Sequence, residues 1–149
     1  MIRILFICHG NICRSPMAEF IMKDLVQKAG LAERYEIASA ATSTEEIGNP
    51  VYPPARRELA AHGVSCKGKT ARQITRRDYD DYDHLIAMET YNLRNIRRII
   101  PGDPEGKISL LMAHAGLSED IEDPWYTGDF PGVYRQIERG CRALLEETK

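Results

Sequence analysis

Cys8-His9-Gly10-Asn11-Ile12-Cys13-Arg14-Ser15 brings a thiol, a turn-forming glycine and a guanidinium into one short segment. Five residues separate Cys8 from Arg14, enough for the backbone to wrap once around a tetrahedral anion with both side chains at its rim. Gly10 permits a sharp turn, Asn11 tolerates a left-handed conformation, and successive N–H groups beside a helix N-terminus can converge on an anion. Arg14 adds planar donors that match two phosphate oxygens. His9, Gly10, Asn11, Ile12, Cys13 and Arg14 are therefore the candidate phosphate cradle. Such a setting favours the thiolate of Cys8, which can attack phosphorus while the cradle holds the equatorial oxygens. Ser15 can donate to the sulfur and make it a better leaving group in a second step. Asn11 can brace the loop through side-chain bonds to backbone. A nucleotide-binding loop would instead place lysine before serine or threonine.

Other readings of the same residues remain. Cys8 could be a buried structural thiol. Cys8, His9 and Cys13 could hold a metal, but the spacing lacks the usual paired-ligand pattern, and no metal is expected. Cys13 either packs as a small core residue or forms a reversible disulfide with Cys8. Cys66 and Cys141 read as structural.

A departing oxygen needs a proton, and the water that follows needs a base; one carboxylate can do both in turn. Asp120, Glu122, Asp123 and Asp129 are the candidates. Pro124 stiffens the backbone after Asp123, and Trp125-Tyr126 set an aromatic wall beside it, which favours Asp123 over the runner-up Asp120. Two aromatics next to a phosphate site point to a flat ring as leaving group.

These groups need elements to position them. Ile2 to Ile7 reads as a buried strand ending at Cys8. Pro16 fits the first turn of a helix whose apolar positions run to Ala29, with Gly30 as a stop. Tyr35 to Ala38 is a second strand, and Pro53-Pro54 open a helix to about Ala61 that His62-Gly63 closes. Asp83 to Met88 is a third strand, followed by a helix over about Thr90 to Arg98; Lys107 to Met112 is a fourth. A turn-rich break at Gly128 to Gly132 precedes a last helix, with Val133, Ile137, Cys141, Leu144 and Leu145 on its apolar face. Strands alternating with helices imply an α/β fold with a parallel sheet and helices on both faces. The carboxyl end of a strand in such a sheet is where ligands bind, which places the Cys8 loop correctly. His62, His84 and His114 read as surface or packing residues.

The length of 149 residues suits one domain over 1–149, with a core large enough to fold without disulfides. With 20 basic and 22 acidic residues the formal charge is −2, which gives no bulk attraction to nucleic acid. No apolar run approaches the length of a membrane helix, and the N-terminal run is broken by His9, Asn11 and Arg14 before any export-type cleavage site. The four cysteines suit a reducing, cytoplasmic setting.

CHGNICRSPMAE, followed later by DPWYTGD, resembles the low-molecular-weight protein tyrosine phosphatases. The likeness extends through SAATS at Ser39 to Ser43, IGNP at Ile47 to Pro50 and ARQIT at Ala71 to Thr75. It implies a single three-layer domain with a four-stranded parallel sheet flanked by helices on both faces. It implies a phosphocysteine intermediate on Cys8 with no cofactor and no metal, and agrees on Asp123 as general acid. The substrate slot would be lined by His9, Ile12, Trp125 and Tyr126, and Ser39 would support Asn11. The first aromatic of that motif is usually Tyr, so Trp125 is a departure, and Glu45 and Glu46 fall where relatives vary. The implied partner is a phosphotyrosine-containing protein or peptide, an autophosphorylating tyrosine kinase among the candidates, with inorganic phosphate as product.

Rival readings each lack a feature. Arsenate reduction on this fold recruits further cysteines, and none lies between Gly68 and Gly140. Protein arginine phosphatases of this kind tend to place Thr where Ile12 stands. A binding module without turnover has no use for the acid.

Overall fold

The structure is a computed structural model describing residues 1–149. The N-terminal apolar run forms β1 (Ile2–Cys8), and its side chains alternate between two faces. Ile4, Phe6 and Cys8 belong to the larger hydrophobic cluster, Leu5 and Ile7 to the smaller one. Both faces of this central strand are therefore covered, which explains why it reads as a continuous apolar run.

The chain continues through α1 (Arg14–Lys28), β2 (Tyr35–Ala41), α2 (Pro53–Ala61), α3 (Arg77–Asp81), β3 (His84–Ala87), α4 (Thr90–Ile96), β4 (Ile108–Leu110), α5 (Pro124–Thr127) and α6 (Phe130–Thr148). The sheet has four parallel strands in the order β2-β1-β3-β4. Met17 and Ile21 of α1, Leu59 of α2 and Ile137 and Leu144 of α6 fill one side; Tyr79 of α3 and Ile96 of α4 fill the other. This is the three-layer α/β arrangement expected from the alternation of elements. No helix is long and apolar enough to cross a membrane.

From β1 the chain moves to β2 on one side and later to β3 on the other, so the strand order reverses at β1. The crevice outside the carboxyl end of such a switch strand is the usual ligand site of an open α/β sheet. The residues after Cys8 occupy it.

Several boundaries differ from the sequence expectation. The helix after Cys8 starts at Arg14, which keeps Pro16 within the first turn, and Gly30 takes a positive φ of 73° just past its end. Strand β2 runs on to Ala41, because Ala38 to Ala41 pair with Leu5 to Cys8 although these small residues show no apolar period. Strand β4 shortens to Ile108–Leu110, and Leu111 and Met112 turn into a 3₁₀ segment, Leu111–Ala115, packed on α6. Helix α4 ends at Ile96, with the following turn closed by tighter bonds such as Ile99 N to Ile96 O at 3.0 Å.

Two helices were not expected. In α3 the sequence RDYDD has no apolar stripe; Asp78 anchors it by accepting from Thr75 N at 2.8 Å and from both terminal nitrogens of Arg72. Helix α5 is a single turn between Asp123 and Gly128. The expected break at Gly128 to Gly132 is correspondingly narrower: Asp129 caps α6 by accepting from Gly132 N at 3.0 Å, and Gly132 lies inside the helix.

Helix α6 passes close against the 3₁₀ segment at Gly140. A Cβ there would lie 2.5 Å from Leu111 Cγ and 3.0 Å from its Cδ1, and Leu111 is fully buried. Gly140→Ala is expected to destabilise by about 1–3 kcal/mol through overpacking. That exceeds the gain of up to ~1 kcal/mol that alanine brings to a helix. Urea denaturation measures the outcome, and a more stable variant would show that Leu111 repacks freely.

Candidate active site

The loop between β1 and α1 is shaped by Asn11. It has φ 60°, the only non-glycine residue on the left-handed side, and its side chain is 1% exposed. The amide nitrogen donates to Ser15 Oγ at 2.8 Å and Ser39 Oγ at 2.9 Å, while Oδ1 accepts from Arg72 N at 3.2 Å. The brace thus runs mainly to two hydroxyls rather than to backbone. Because Ser15 Oγ accepts from Asn11, its own proton is free for Cys8 Sγ, 2.9 Å away. Asn11 N also points at Cys8 Sγ, at 3.3 Å.

Behind Ser39 lies a buried carboxylate. Ser39 Oγ donates to Glu19 Oε1, and Lys23 and Lys69 flank Glu19 at 2.6 and 3.6 Å. Lys69 also donates to Ser39 O at 2.8 Å. Burial holds the Lys69 pKa below its ordinary value, with Glu19 opposing it. Glu19, on the first turns of α1, is 4% exposed and survives there because both cations and a hydroxyl satisfy it.

Arg14 is 2% exposed. It donates to Ile121 O at 2.9 Å, pairs with Glu89 at 3.1 Å, and lies 3.4 Å from Asp123 Oδ2. Burial alone would lower its pKa, but the negative charge of Cys8 together with Glu89 outweighs it and leaves the guanidinium above its ordinary range.

The four candidate acids separate clearly. Asp120 accepts from the backbone and hydroxyl of Thr90, holding the start of α4. Asp129 caps α6, and Glu122 is exposed and outside the cavity. Asp123 alone faces Cys8: Oδ1 accepts from Trp125 N at 3.0 Å, capping α5, while Oδ2 turns toward Arg14. Pro124 occupies the first position of that helical turn.

Above Cys8 opens a cavity of about 390 Å³. His9, Gly10, Ile12, Cys13 and Arg14 line it with Asp123, Trp125 and Tyr126. Asn11, Ser15 and Ser39 stand behind the loop, fully buried. Trp125 is held by Tyr52, ring centroids 4.6 Å apart, whereas Tyr126 is 83% exposed. Glu45 pairs with His9 at the rim. Cys13 faces the same cavity, and burial, together with the negative charges of Cys8 and Asp123, pushes its thiol well up. All four cysteines are free. No group of three or more His, Cys, Asp or Glu side chains is arranged to hold a metal.

Such a site can bind a tetrahedral anion against a nucleophilic sulfur, with a carboxyl group above it and an aromatic wall beside it. The family model for low molecular weight phosphotyrosine protein phosphatase matches residues 3–149. The chain belongs to this family. The chain is 40% identical to the low molecular weight protein-tyrosine-phosphatase YfkJ of Bacillus subtilis, covering 97% of this chain and 94% of the relative. The crystal structure of YfkJ superposes with a TM-score of 0.94 at 39% identity, covering 100% and 98%. The Homo sapiens low molecular weight phosphotyrosine protein phosphatase is also 40% identical, with the same coverage as YfkJ. The Drosophila arginine phosphatase structure is similar at TM-score 0.88 and 32% identity, covering 98% and 97%.

Within this phosphatase fold, four contributors escaped the sequence reading: Glu19, Lys69, Glu89 and Tyr52. Glu89 follows the carboxyl end of β3, a place where ligand-side groups collect, and that position was its one legible signal. The other three meet the site through partners distant in sequence: Glu19 through Ser39, Lys69 through Ser39 and Glu19, and Tyr52 through Trp125. Ser39→Ala removes a donor from buried Glu19 and an acceptor from Asn11. It is expected to cost about 1–3 kcal/mol of stability, the penalty of leaving buried polar groups short of partners. An unchanged urea midpoint would show that this bracing contributes nothing.

Proposed function

We propose that this protein-tyrosine phosphatase hydrolyses phosphotyrosine on a protein or peptide in two steps on Cys8. The thiolate attacks phosphorus and the bond to the phenol oxygen breaks; Asp123 delivers its proton to that oxygen, and phosphocysteine remains. Asp123 then takes a proton from water, whose oxygen attacks phosphorus, releasing inorganic phosphate and the thiolate. Arg14 and the N–H groups of residues 9–14 hold the phosphoryl oxygens throughout. Ser15 donates to the sulfur as it leaves, and Asn11, braced by Ser39, keeps the loop in shape. The observation that carries this reading is the position of Asp123, the single cavity-facing acid of its segment, beside Arg14 and the aromatic wall.

His9, Ile12, Trp125 and Tyr126 form the slot for the ring. The likeness to the Drosophila arginine phosphatase keeps phosphoarginine as a second substrate to test, against which Ile12 supplies an apolar contact better suited to a phenyl ring. A tyrosine kinase that phosphorylates itself is a partner of the right chemistry. Four free thiols suit a cytoplasmic setting. Cys13, in the same cavity, is the resolving partner when peroxide oxidises Cys8 to a sulfenic acid: the two condense to a disulfide and release water, protecting Cys8 from further oxidation.

Steady-state rates on phosphotyrosine, phosphoserine and phosphoarginine substrates test the reading. C8S is expected to lose at least about 10³-fold in kcat, as nucleophile removal does elsewhere. D123N should lose about 10²–10⁴-fold with a phenol of high pKa and less with an activated aryl phosphate. Equal losses on both esters would mean another acid, and comparable turnover of phosphoserine would sink the aromatic slot.

A further inference from the structure

A second cavity, larger than the one above Cys8, lies elsewhere on the molecule. It measures about 490 Å³ and lies between α2 and the segment 63–69, with Val51 and Val64 in its floor and Cys66 in its wall. Arg56, Lys67 and Lys69 line it, and none of its lining residues is acidic. In a chain of net charge −2, that concentration of positive charge in one concavity is out of proportion. Neither Arg56 nor Lys67 has an ion-pair partner, whereas Arg14 in the cavity above Cys8 pairs with Glu89 and Asp123. Concave basic surfaces over low-dielectric walls focus the field on an anion.

Lys69 connects this cavity to the catalytic loop. Its ammonium bonds Ser39 O at 2.8 Å and faces Glu19 at 3.6 Å. From there the bonds run Glu19 to Ser39, Ser39 to Asn11, Asn11 to Ser15 and Ser15 to Cys8. An anion in the cavity competes with Glu19 and Ser39 O for the same ammonium. It also favours the charged form of a lysine whose burial works against it.

We propose that this second cavity binds the phosphoryl group of a small anionic effector, gripped by Arg56, Lys67 and Lys69, and that occupancy slows turnover by drawing Lys69 away from Glu19 and Ser39. The dianionic charge of a phosphoryl group matches the cluster, and Arg56 supplies a planar donor pair for two of its oxygens. The coupling is between two distinct sites through one side chain, so it acts on kcat where product binding at Cys8 acts only on KM.

Inorganic phosphate and glycerol 3-phosphate are the two probes, distinguishing the free anion from a phosphorylated small molecule. Amide chemical shifts of the full chain should move at 63–69 as well as at 9–14, and in R56Q/K67Q only the second set should move. At saturating aryl phosphate, where competition at Cys8 is suppressed, kcat should fall about five-fold with the tighter probe, at the low end of ordinary allosteric coupling. R56Q/K67Q should keep its basal kcat and lose that fall. The shifts read binding without turnover, so they stand whatever the substrate proves to be. Shifts confined to 9–14 with both probes would overturn the site. Purely competitive inhibition, or a fall in kcat that survives R56Q/K67Q, would overturn the coupling.

Discussion

A guanidinium taken out of water costs several kcal/mol unless its charge and donors are met. Arg14 is such a group, and the segments around the site are arranged to meet it. Glu89 reaches it from the end of β3, Ile121 offers a carbonyl, and Asp123 comes from the turn before α5. The loop after β1, the end of β3 and the acid-bearing segment are thereby held to one another at a single side chain. Burial of Arg14 and assembly of the site are one event. The arrangement also directs the charge: with Glu89 and Ile121 behind it, the guanidinium presents its remaining face to the cavity.

The second constraint is the backbone of Asn11. A left-handed conformation at a non-glycine residue persists where surrounding bonds over-determine it, and here three bonds do so. Glycine would relieve the backbone but lose all three. The cost is met by burying Glu19, which in turn requires Lys23 and Lys69. The curl of the loop after Cys8 therefore depends on a carboxylate on α1 and a lysine beyond β2. Arg72 completes the ring, its backbone N–H on Asn11 and its side chain on Asp78 at the start of α3. The helix least visible in the sequence thus helps hold the loop most visible in it.

What the sequence made legible follows from where each signal resides. Local signals were the clearest: Cys8, Arg14 and the Asp123-Pro124-Trp125 run stand out by their neighbouring residues and meet at one cavity, and β1 and α6 show strong apolar patterns. Resemblance added the buttressing role of Ser39, whose position at a strand end would otherwise have suggested a solvent-facing hydroxyl. Residues whose meaning lies in a distant partner were silent. Glu19, Lys69 and Tyr52 carry no local signal, because Ser39, Glu19 and Trp125, which they meet, lie far along the chain. Helix α3 was silent for a different reason: one buried ring, Tyr79, and the bonds of Asp78 hold its five residues in place of an apolar stripe. The extension of β2 over Ser39 to Ala41 was hidden because these small residues carry no apolar period even where they pair with β1.

The segment around Asp123 shows how so short an element can place a carboxylate oxygen. Helix α5 has one turn and little cohesion of its own. Its position comes from outside: Pro124 is buried, Trp125 packs on Tyr52, and Tyr52 in turn lies near Phe130 at the start of α6. Within the turn, Asp123 uses Oδ1 to cap the helix, which leaves Oδ2 as the oxygen turned to the cavity and Arg14. The cap thus removes rotational freedom from the carboxylate that we assign to proton transfer. A group held this way arrives oriented, and the entropy of positioning is lost on folding instead of in the reaction. Trp125 follows the same logic: its ring packs on Tyr52, centroids 4.6 Å apart, while it also lines the cavity.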